Sequence, residues 1–174
     1  GTIYFQQKQY DQALRVFSKI ESSYAETDAA ADASYMKGKV FWENGDAQEA
    51  KNQFEFVIQK HPSSDGAAQS KVALARIHQK ADDPAKAQTL AQEVATSRND
   101  AVGAEAQYIS ATIFAERQEW QNAVTAYRRV RYVFPSYEDW VTKAYLGLGI
   151  AYESLRDIPK AREAYQNVLR IKRD

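Results

Sequence analysis

Hydrophobic positions recur along the chain with a helical spacing and a near-constant period. In the segment 46–62, Ala50, Phe54 and Val57 fall on one face of a helix, and Pro62 follows where that helix should end. The same order, an alanine followed by apolar residues four and seven positions later, occurs five times, beginning at Ala13, Ala50, Ala87, Ala123 and Ala161. These alanines lie 37, 37, 36 and 38 residues apart, and such a period predicts a repeat array.

The pattern predicts an all-α chain of antiparallel helix pairs. We expect helices over residues 1–7, 11–22, 28–43, 46–60, 64–80, 83–97, 100–117, 119–134, 137–155 and 157–172. Asn44 and Gly45 supply a tight corner between two helices, because glycine readily adopts the positive φ that such a corner needs.

Acidic residues stand directly before several of the second helices. Asp46, Asp83 and Asp157 are expected to cap those helices with their side chains. Glu49 would complete a capping box with Asp46, and Pro84 suits a first helical position.

Five helix pairs define the predicted domain organisation. We expect a single array made of a partial repeat at 1–25 and repeats at 28–62, 64–99, 100–136 and 137–174. One pair alone cannot bury its apolar face, so stacking on neighbours must do so. Gly1 holds the repeat position of Gly38 and Gly149, so we expect the chain to open within a helix and to be a fragment of a longer protein.

Composition narrows the classes of partner. Lys plus Arg and Asp plus Glu both number 23, so the net charge gives no footprint for nucleic acid or for an anionic membrane surface. No apolar run approaches the ~18 residues of a membrane span, and we expect no membrane insertion by this segment. The chain has no cysteine, which excludes a disulfide framework, a thiolate nucleophile and a cysteine-based zinc site.

Enzyme motifs are missing from the sequence. It contains no phosphate-binding glycine loop, no His-Glu-x-x-His and no Gly-x-Ser-x-Gly. His61 favours a surface loop, and His78 holds an aromatic core position. Asp28 and Asp32 share a helical face and could bind a cation, but such carboxylates more often complement a helix dipole. The sequence therefore predicts a protein that is not an enzyme and holds no metal and no cofactor.

The residues of the last repeat resemble the tetratricopeptide repeat family, and the resemblance extends over the whole chain. They follow the family motif at Tyr145, Leu148, Gly149, Tyr152, Ala161 and Tyr165. The repeat at 64–99 departs most, with Ala75, His78 and Ala91 in place of glycine and two aromatics. The resemblance implies an α-solenoid with a right-handed superhelix, in which the motif glycine lets two helices touch.

The motif aromatics and the remaining aromatics are expected to differ in role. Those at motif positions should form the core: Phe17, Phe41, Phe54, Phe114, Tyr127, Tyr152 and Tyr165. Tyr10 and Trp120 should pack at helix corners.

A concave groove is the binding surface that the resemblance implies. In this family the first helix of each pair lines it, at offsets of minus three, plus one and plus four from the motif glycine. Those positions include Phe5, Tyr35, Lys39, Trp42, Val72, Arg76, Tyr108, Thr112, Leu146 and Ile150. Aromatic residues and arginine are frequent binding hot spots, and Trp42 is the expected anchor. The alternative is that these side chains pack on one another.

The predicted function is a protein-interaction scaffold that holds a partner peptide or protein in this groove. A structural spacer or oligomerisation arm, and the regulatory part of a larger enzyme, are the alternatives. The period exceeds the usual 34 residues and is similar to that of bacterial cell-envelope members, which implies a periplasmic or outer-membrane-associated protein; a cytoplasmic location is the alternative. Arg128, Arg129, Arg131 and Lys143 favour a solvated basic face.

Overall fold

The computed structural model describes residues 1–171 and confirms the predicted all-α architecture. Within that range the chain forms ten helices. They are α1 (Thr2–Gln6), α2 (Tyr10–Ser23), α3 (Asp28–Asn44), α4 (Ala47–Lys60), α5 (Asp65–Lys80), α6 (Pro84–Ser97), α7 (Ala101–Glu116), α8 (Trp120–Val133), α9 (Glu138–Ser154) and α10 (Ile158–Ile171). The ends lie within one residue of the prediction, except that predicted residue 172 lies outside the described residues.

The helices form two compact units. Unit 1 is Gly1–Ile77, and unit 2 begins at His78. In unit 1, α1 packs on α2, α2 on α3, and α3 on α4. In unit 2, each helix from α6 to α10 packs on the next, and α7 also contacts α9. No helix within residues 1–171 combines the length and the apolar character needed to cross a membrane.

Each corner between two paired helices contains one residue with a positive φ. Gly45 has a φ of 91°, and the Asp46 N–H donates to the Phe41 carbonyl at 2.9 Å. The other four corners place non-glycine residues at φ values between 56° and 59°: Lys8, Asp82, Gln118 and Arg156. A left-handed conformation costs about 1–2 kcal/mol for a residue with a Cβ, so only the predicted glycine corner is free of this strain.

Two of the three predicted helix caps are present. The Asp83 carboxylate accepts from the Lys86 N–H at 3.3 Å, and the Asp157 carboxylate accepts from the Lys160 N–H at 3.2 Å. Pro84 begins α6 as expected. The prediction for Asp46 is wrong because its side chain makes no cap hydrogen bond.

The side chain of Asp46 binds a different donor. Its Oδ2 accepts from the Asn44 amide nitrogen at 2.7 Å. The Asp46 carboxylate therefore binds the neighbouring Asn44 side chain and not the N–H groups at the start of α4, which the capping-box pattern had predicted as its partners.

The motif glycines lie under aromatic rings, as the resemblance implies. A Cβ added at Gly38 would lie 2.5 Å from Phe54 Cε1, and one at Gly149 would lie 2.2 Å from Tyr165 Cε1. Tyr127, whose own repeat has Ala111 in place of glycine, instead lies over Gly147 of the next helix.

The prediction that all motif aromatics are core residues is only partly correct. Phe17, Phe54 and Tyr127 are buried. The half-buried members are Phe41, Phe114, Tyr152 and Tyr165. Phe114 and Tyr152 line surface clefts between successive second helices, which explains their exposure. Tyr10 and Trp120 are half-buried and pack against core clusters, as expected for corner residues.

Candidate partner-binding surfaces

In unit 1 the fold brings together three of the predicted groove residues. Lys39 Nζ lies 5.4 Å from the centroid of the Phe5 ring and 5.8 Å from that of Tyr35. An ammonium held over aromatic rings in this way gains a cation–π interaction. We call Phe5, Tyr35 and Lys39 the Lys39 cluster.

The Lys39 cluster is continuous with the core of unit 1. The Tyr35 ring centroid lies 5.8 Å from that of Phe54, which is 1% exposed. Tyr35 and Trp42 are both half-buried and both have interaction partners. Part of this surface therefore consists of side chains that pack on one another, which was the alternative to a binding groove in the sequence analysis.

The two predicted groove residues on α5 differ in exposure. Arg76 is exposed, whereas Val72 is only 4% exposed. Val72 consequently has almost no surface to offer a partner, which corrects the expectation that it lines an open groove. An apolar residue at this position is more useful to the core than to a ligand.

In unit 2 a second aromatic cluster includes Tyr108. Its ring centroid lies 5.5 Å from that of Trp140 and 5.8 Å from that of Tyr127. Lys143 Nζ lies 4.0 Å from the Trp140 ring centroid. Sequence reasoning missed Trp140, although its spacing of three residues from Lys143 on one helix was a signal for such a pair.

The remaining predicted groove residues of unit 2 are accessible. Leu146 and Ile150 are 43% and 53% exposed, and they lie one helical turn apart on α9. Thr112 is half-buried, and its hydroxyl accepts from Gln79 Nε2 at 3.3 Å. The binding role of the whole predicted set stays a prediction.

The predicted basic face does not form one surface. Lys143 lies over Trp140, and Arg129 lines a cleft between α6 and α8. Arg128 and Arg131 line a separate cleft between α8 and α10. Residues adjacent in sequence diverge here because neighbouring positions on a helix point about 100° apart.

The clefts differ in size and chemistry. The α6–α8 cleft encloses about 680 Å³ and is lined mainly by hydroxyl and amide side chains. The α8–α10 cleft encloses about 230 Å³ and combines basic residues with tyrosines.

The histidines and aspartates that the sequence offered as possible ligands of a metal ion lie among ordinary structural neighbours. His78 has a side chain 12% exposed, and its Nδ1 lies 3.5 Å from Asp83 Oδ2. His61 is half-buried at the end of α4. Burial, and then the charges of Asp65 and Asp28, raise the pKa of Asp32. In the described part of the chain, no group of three or more acidic, histidine or cysteine side chains could hold a metal ion.

Comparison with known proteins supports the repeat assignment. The family model of a tetratricopeptide repeat-like domain matches residues 2–135, and a tetratricopeptide repeat model matches residues 143–171. No curated protein sequence matches the chain.

Several solved structures are similar in fold. The MamA protein is 18% identical with a TM-score of 0.74, covering 99% of this chain and 88% of that chain. BtubC (BKLC) from P. vanneervenii is 14% identical with a TM-score of 0.84, covering 98% of this chain and 76% of that chain. A putative kinesin light chain of Podosopora anserina, with nearly identical TPR-like repeats, is 19% identical with a TM-score of 0.71, covering 98% and 90%.

The recurring corners, the aromatic rings over motif glycines and the match across residues 2–135 agree with one another. This chain belongs to the tetratricopeptide repeat family.

Proposed function

We propose that this chain is a protein-interaction scaffold in which the first helix of each helix pair contacts a segment of a partner protein. The exposure of Leu146 and Ile150 on one face of α9 carries the proposal. Two large apolar side chains that are exposed one turn apart on the same helix offer area that a partner can bury.

In unit 1, the Lys39 cluster offers a polar contact of its own to a partner. Its ammonium is oriented by two rings and can donate to an acidic group of the partner. Trp42, one turn further along α3, is the proposed anchor. Rigid aromatic side chains lose little conformational entropy on binding and bury a large area.

Photo-crosslinking tests this assignment in a residue-specific way. A benzoylphenylalanine placed at position 150 should crosslink to a discrete partner, and one placed at position 56 should not. Phe56 is the matched control because it is an apolar residue 39% exposed on α4, outside the predicted set. Equal crosslinking from both positions would contradict the proposal.

Truncation of the anchor gives a second test. Replacing Trp42 by alanine should cost about 2–4 kcal/mol of partner affinity. Since Trp42 is half-buried, circular dichroism must first show that the variant remains folded. The Leu146→Ala, Ile150→Ala double variant changes exposed side chains and should weaken binding without that complication.

A contact arm is the second candidate function. Ile158 and Leu169 are 54% and 58% exposed on α10, and such residues could join this chain to another repeat or another subunit. Sedimentation of the Ile158→Asp, Leu169→Asp variant beside the wild type tests it, because loss of an assembly only in the variant would favour the arm.

We also propose a bacterial envelope location, supported by the 36–38-residue period. Fractionation of cells expressing the full-length protein should recover it from the periplasm or the outer membrane. Recovery from the cytoplasm would contradict the location and leave the scaffold proposal standing.

A further inference from the structure

The α8–α10 cleft is a second candidate binding site, on the side of α9 away from Leu146 and Ile150. The α9 residues that line the cleft are Tyr145, Leu148 and Tyr152. By their helical spacing they lie on the face of α9 opposite to Leu146 and Ile150. The basic and aromatic side chains of the cleft are Arg128, Arg131, Tyr132, Tyr145, Tyr152 and Lys160.

Aromatic rings hold the cations of the cleft. Arg131 Cζ lies 5.2 Å from the Tyr132 ring centroid and 5.6 Å from that of Tyr145. Arg128 Cζ lies 5.7 Å from the Tyr132 centroid. A guanidinium stacked on a ring keeps its in-plane N–H groups available to a ligand.

The two arginines lack acidic partners. Among residues 1–171, no carboxylate lies within ion-pair distance of Arg128 or Arg131. Arg128 instead donates to the Tyr132 hydroxyl at 3.4 Å. That hydrogen bond, and then the charges of Arg128 and Arg131, lower the pKa of Tyr132. The donors therefore have capacity for an incoming anion.

The floor of the cleft is apolar. Tyr145, Leu148 and Ala164 are 8%, 5% and 5% exposed. Above this floor, Arg128 and Arg131 face one lining carboxylate, that of Glu163. The third lining cation, Lys160, is paired with Asp157, with Nζ 2.5 Å from Oδ2. The lining therefore keeps a positive charge in a chain whose formal net charge is zero.

We propose that the α8–α10 cleft binds an acidic segment of a partner protein. A side-chain carboxylate of Asp or Glu accepts from Arg128 and Arg131, and an adjacent apolar side chain of the segment packs on the exposed ring of Tyr132. Planar guanidinium groups match carboxylates in this geometry. The cleft is too small, and its basic surface too confined, for a nucleic acid or an anionic membrane, which need extended arrays of cations.

Fluorescence anisotropy with two labelled peptides tests the proposal on the full chain. One short peptide alternates glutamate with leucine, and the other alternates glutamine with leucine. The first should bind and the second should not. Arg131→Gln should weaken binding about tenfold, the loss expected for one charge-assisted contact.

Arg129 provides the matched control. It is an exposed arginine in the same helix, but it lines the α6–α8 cleft. Arg129→Gln should leave the affinity unchanged, and equal losses in the two variants would reduce the effect to net charge and overturn the proposal. Competition by a short single-stranded RNA or by phosphatidylserine vesicles as strong as that by unlabelled acidic peptide would also overturn it.

The scaffold proposal and the acidic-peptide proposal can be tested independently, because they involve different residues. Leu146→Ala with Ile150→Ala should not change binding of the acidic peptide. Loss of binding in that double variant would move the acidic site to the first-helix surface and contradict the assignment to the cleft.

Discussion

The junction of α2 with α3 is closed by an ion pair, whereas the equivalent junction of α8 with α9 is an open basic cleft. Glu21 and Arg131 both lie eight residues after the motif alanine of their helices. Glu21 accepts from Ser34 Oγ at 2.5 Å and from Lys37 Nζ at 2.6 Å. At the position of Ser34, α9 has Tyr145, whose ring lies under the Arg131 guanidinium.

The α6–α7 junction shows a third outcome at the same position. Ala95 replaces Glu21 there and is 3% exposed. Gln107 Nε2 donates to the Ala126 carbonyl at 3.1 Å, and Ser110 accepts from Gln88 at 2.7 Å. The short alanine leaves the neutral cleft of about 680 Å³. The repeated backbone thus provides the junction, and the side chains around this position give each junction its own charge.

The largest effect should come from the packing next to the closed junction. Phe54→Ala removes a ring that is 1% exposed and lies against Gly38, and it should cost about 3–5 kcal/mol. Tyr165→Ala, at the equivalent position of the last pair, should cost less because Tyr165 is half-buried and its hydroxyl donates to exposed Glu153. Urea unfolding of both variants checks this order, and a larger loss for Tyr165→Ala would contradict it.

The helices could be predicted from the sequence because their signals are local. Apolar spacing, helix-ending prolines and Gly45 each act within a few residues, and they fixed the helix ends within one residue. Asp46 was mispredicted because two local donors, an amide and a helix N-terminus, compete for one carboxylate.

The surfaces were less predictable because they depend on contacts between helices. Glu21 meets Lys37 sixteen residues away, and no spacing within either helix signals the pair. Likewise, the arginines at 128, 129 and 131 look like one basic run, but Arg129 lines the α6–α8 cleft whereas Arg128 and Arg131 line the α8–α10 cleft.

Acid should weaken the closed junction through Glu21. Burial alone would raise the pKa of Glu21, but hydrogen bonds from Lys37 and Ser34 together hold it below its ordinary value. A lowered folded pKa gives stability that is present above the unfolded pKa and is lost as the pH falls through the folded pKa. We expect about 1–2 kcal/mol, reduced by partial exposure, to disappear in this range.

A double-mutant cycle assigns that loss to the ion pair. Glu21→Gln and Lys37→Met should each flatten the acid limb of the stability profile, and the double variant should add little further. Additive losses would show that the two side chains act independently.

The helix corners offer a smaller comparison between the units. Gly45→Ala in unit 1 forces a Cβ into a φ of 91° and should cost about 1 kcal/mol. Gln118→Gly in unit 2 relieves a φ of 59° and should gain roughly 0.5 kcal/mol. Thermal melts check both signs, and a stabilised Gly45→Ala variant would refute the strain at this corner.

The smallest expected effect is a gain from Asp32→Asn. Burial, together with repulsion from Asp65 and Asp28, raises the pKa of this carboxyl. Its charge is therefore unfavourable above the folded pKa, and the penalty fades as the pH falls through that value. The variant should gain about 0.3 kcal/mol at neutral pH, after solvent screening, and nothing in acid. A loss of stability at neutral pH would show that the Asp32 charge is favourable.

The most direct test of the closed and open junctions is a pair of urea unfolding curves at neutral pH, for Glu21→Gln and Arg131→Gln. Both changes remove one charge from the same repeat position. Glu21→Gln should lose about 1 kcal/mol or more because Lys37 loses its acidic partner, whereas Arg131→Gln should stay within about 0.5 kcal/mol of wild type. Equal losses, or a larger loss for Arg131→Gln, would mean that Arg131 stabilises the fold and is not held open for a ligand.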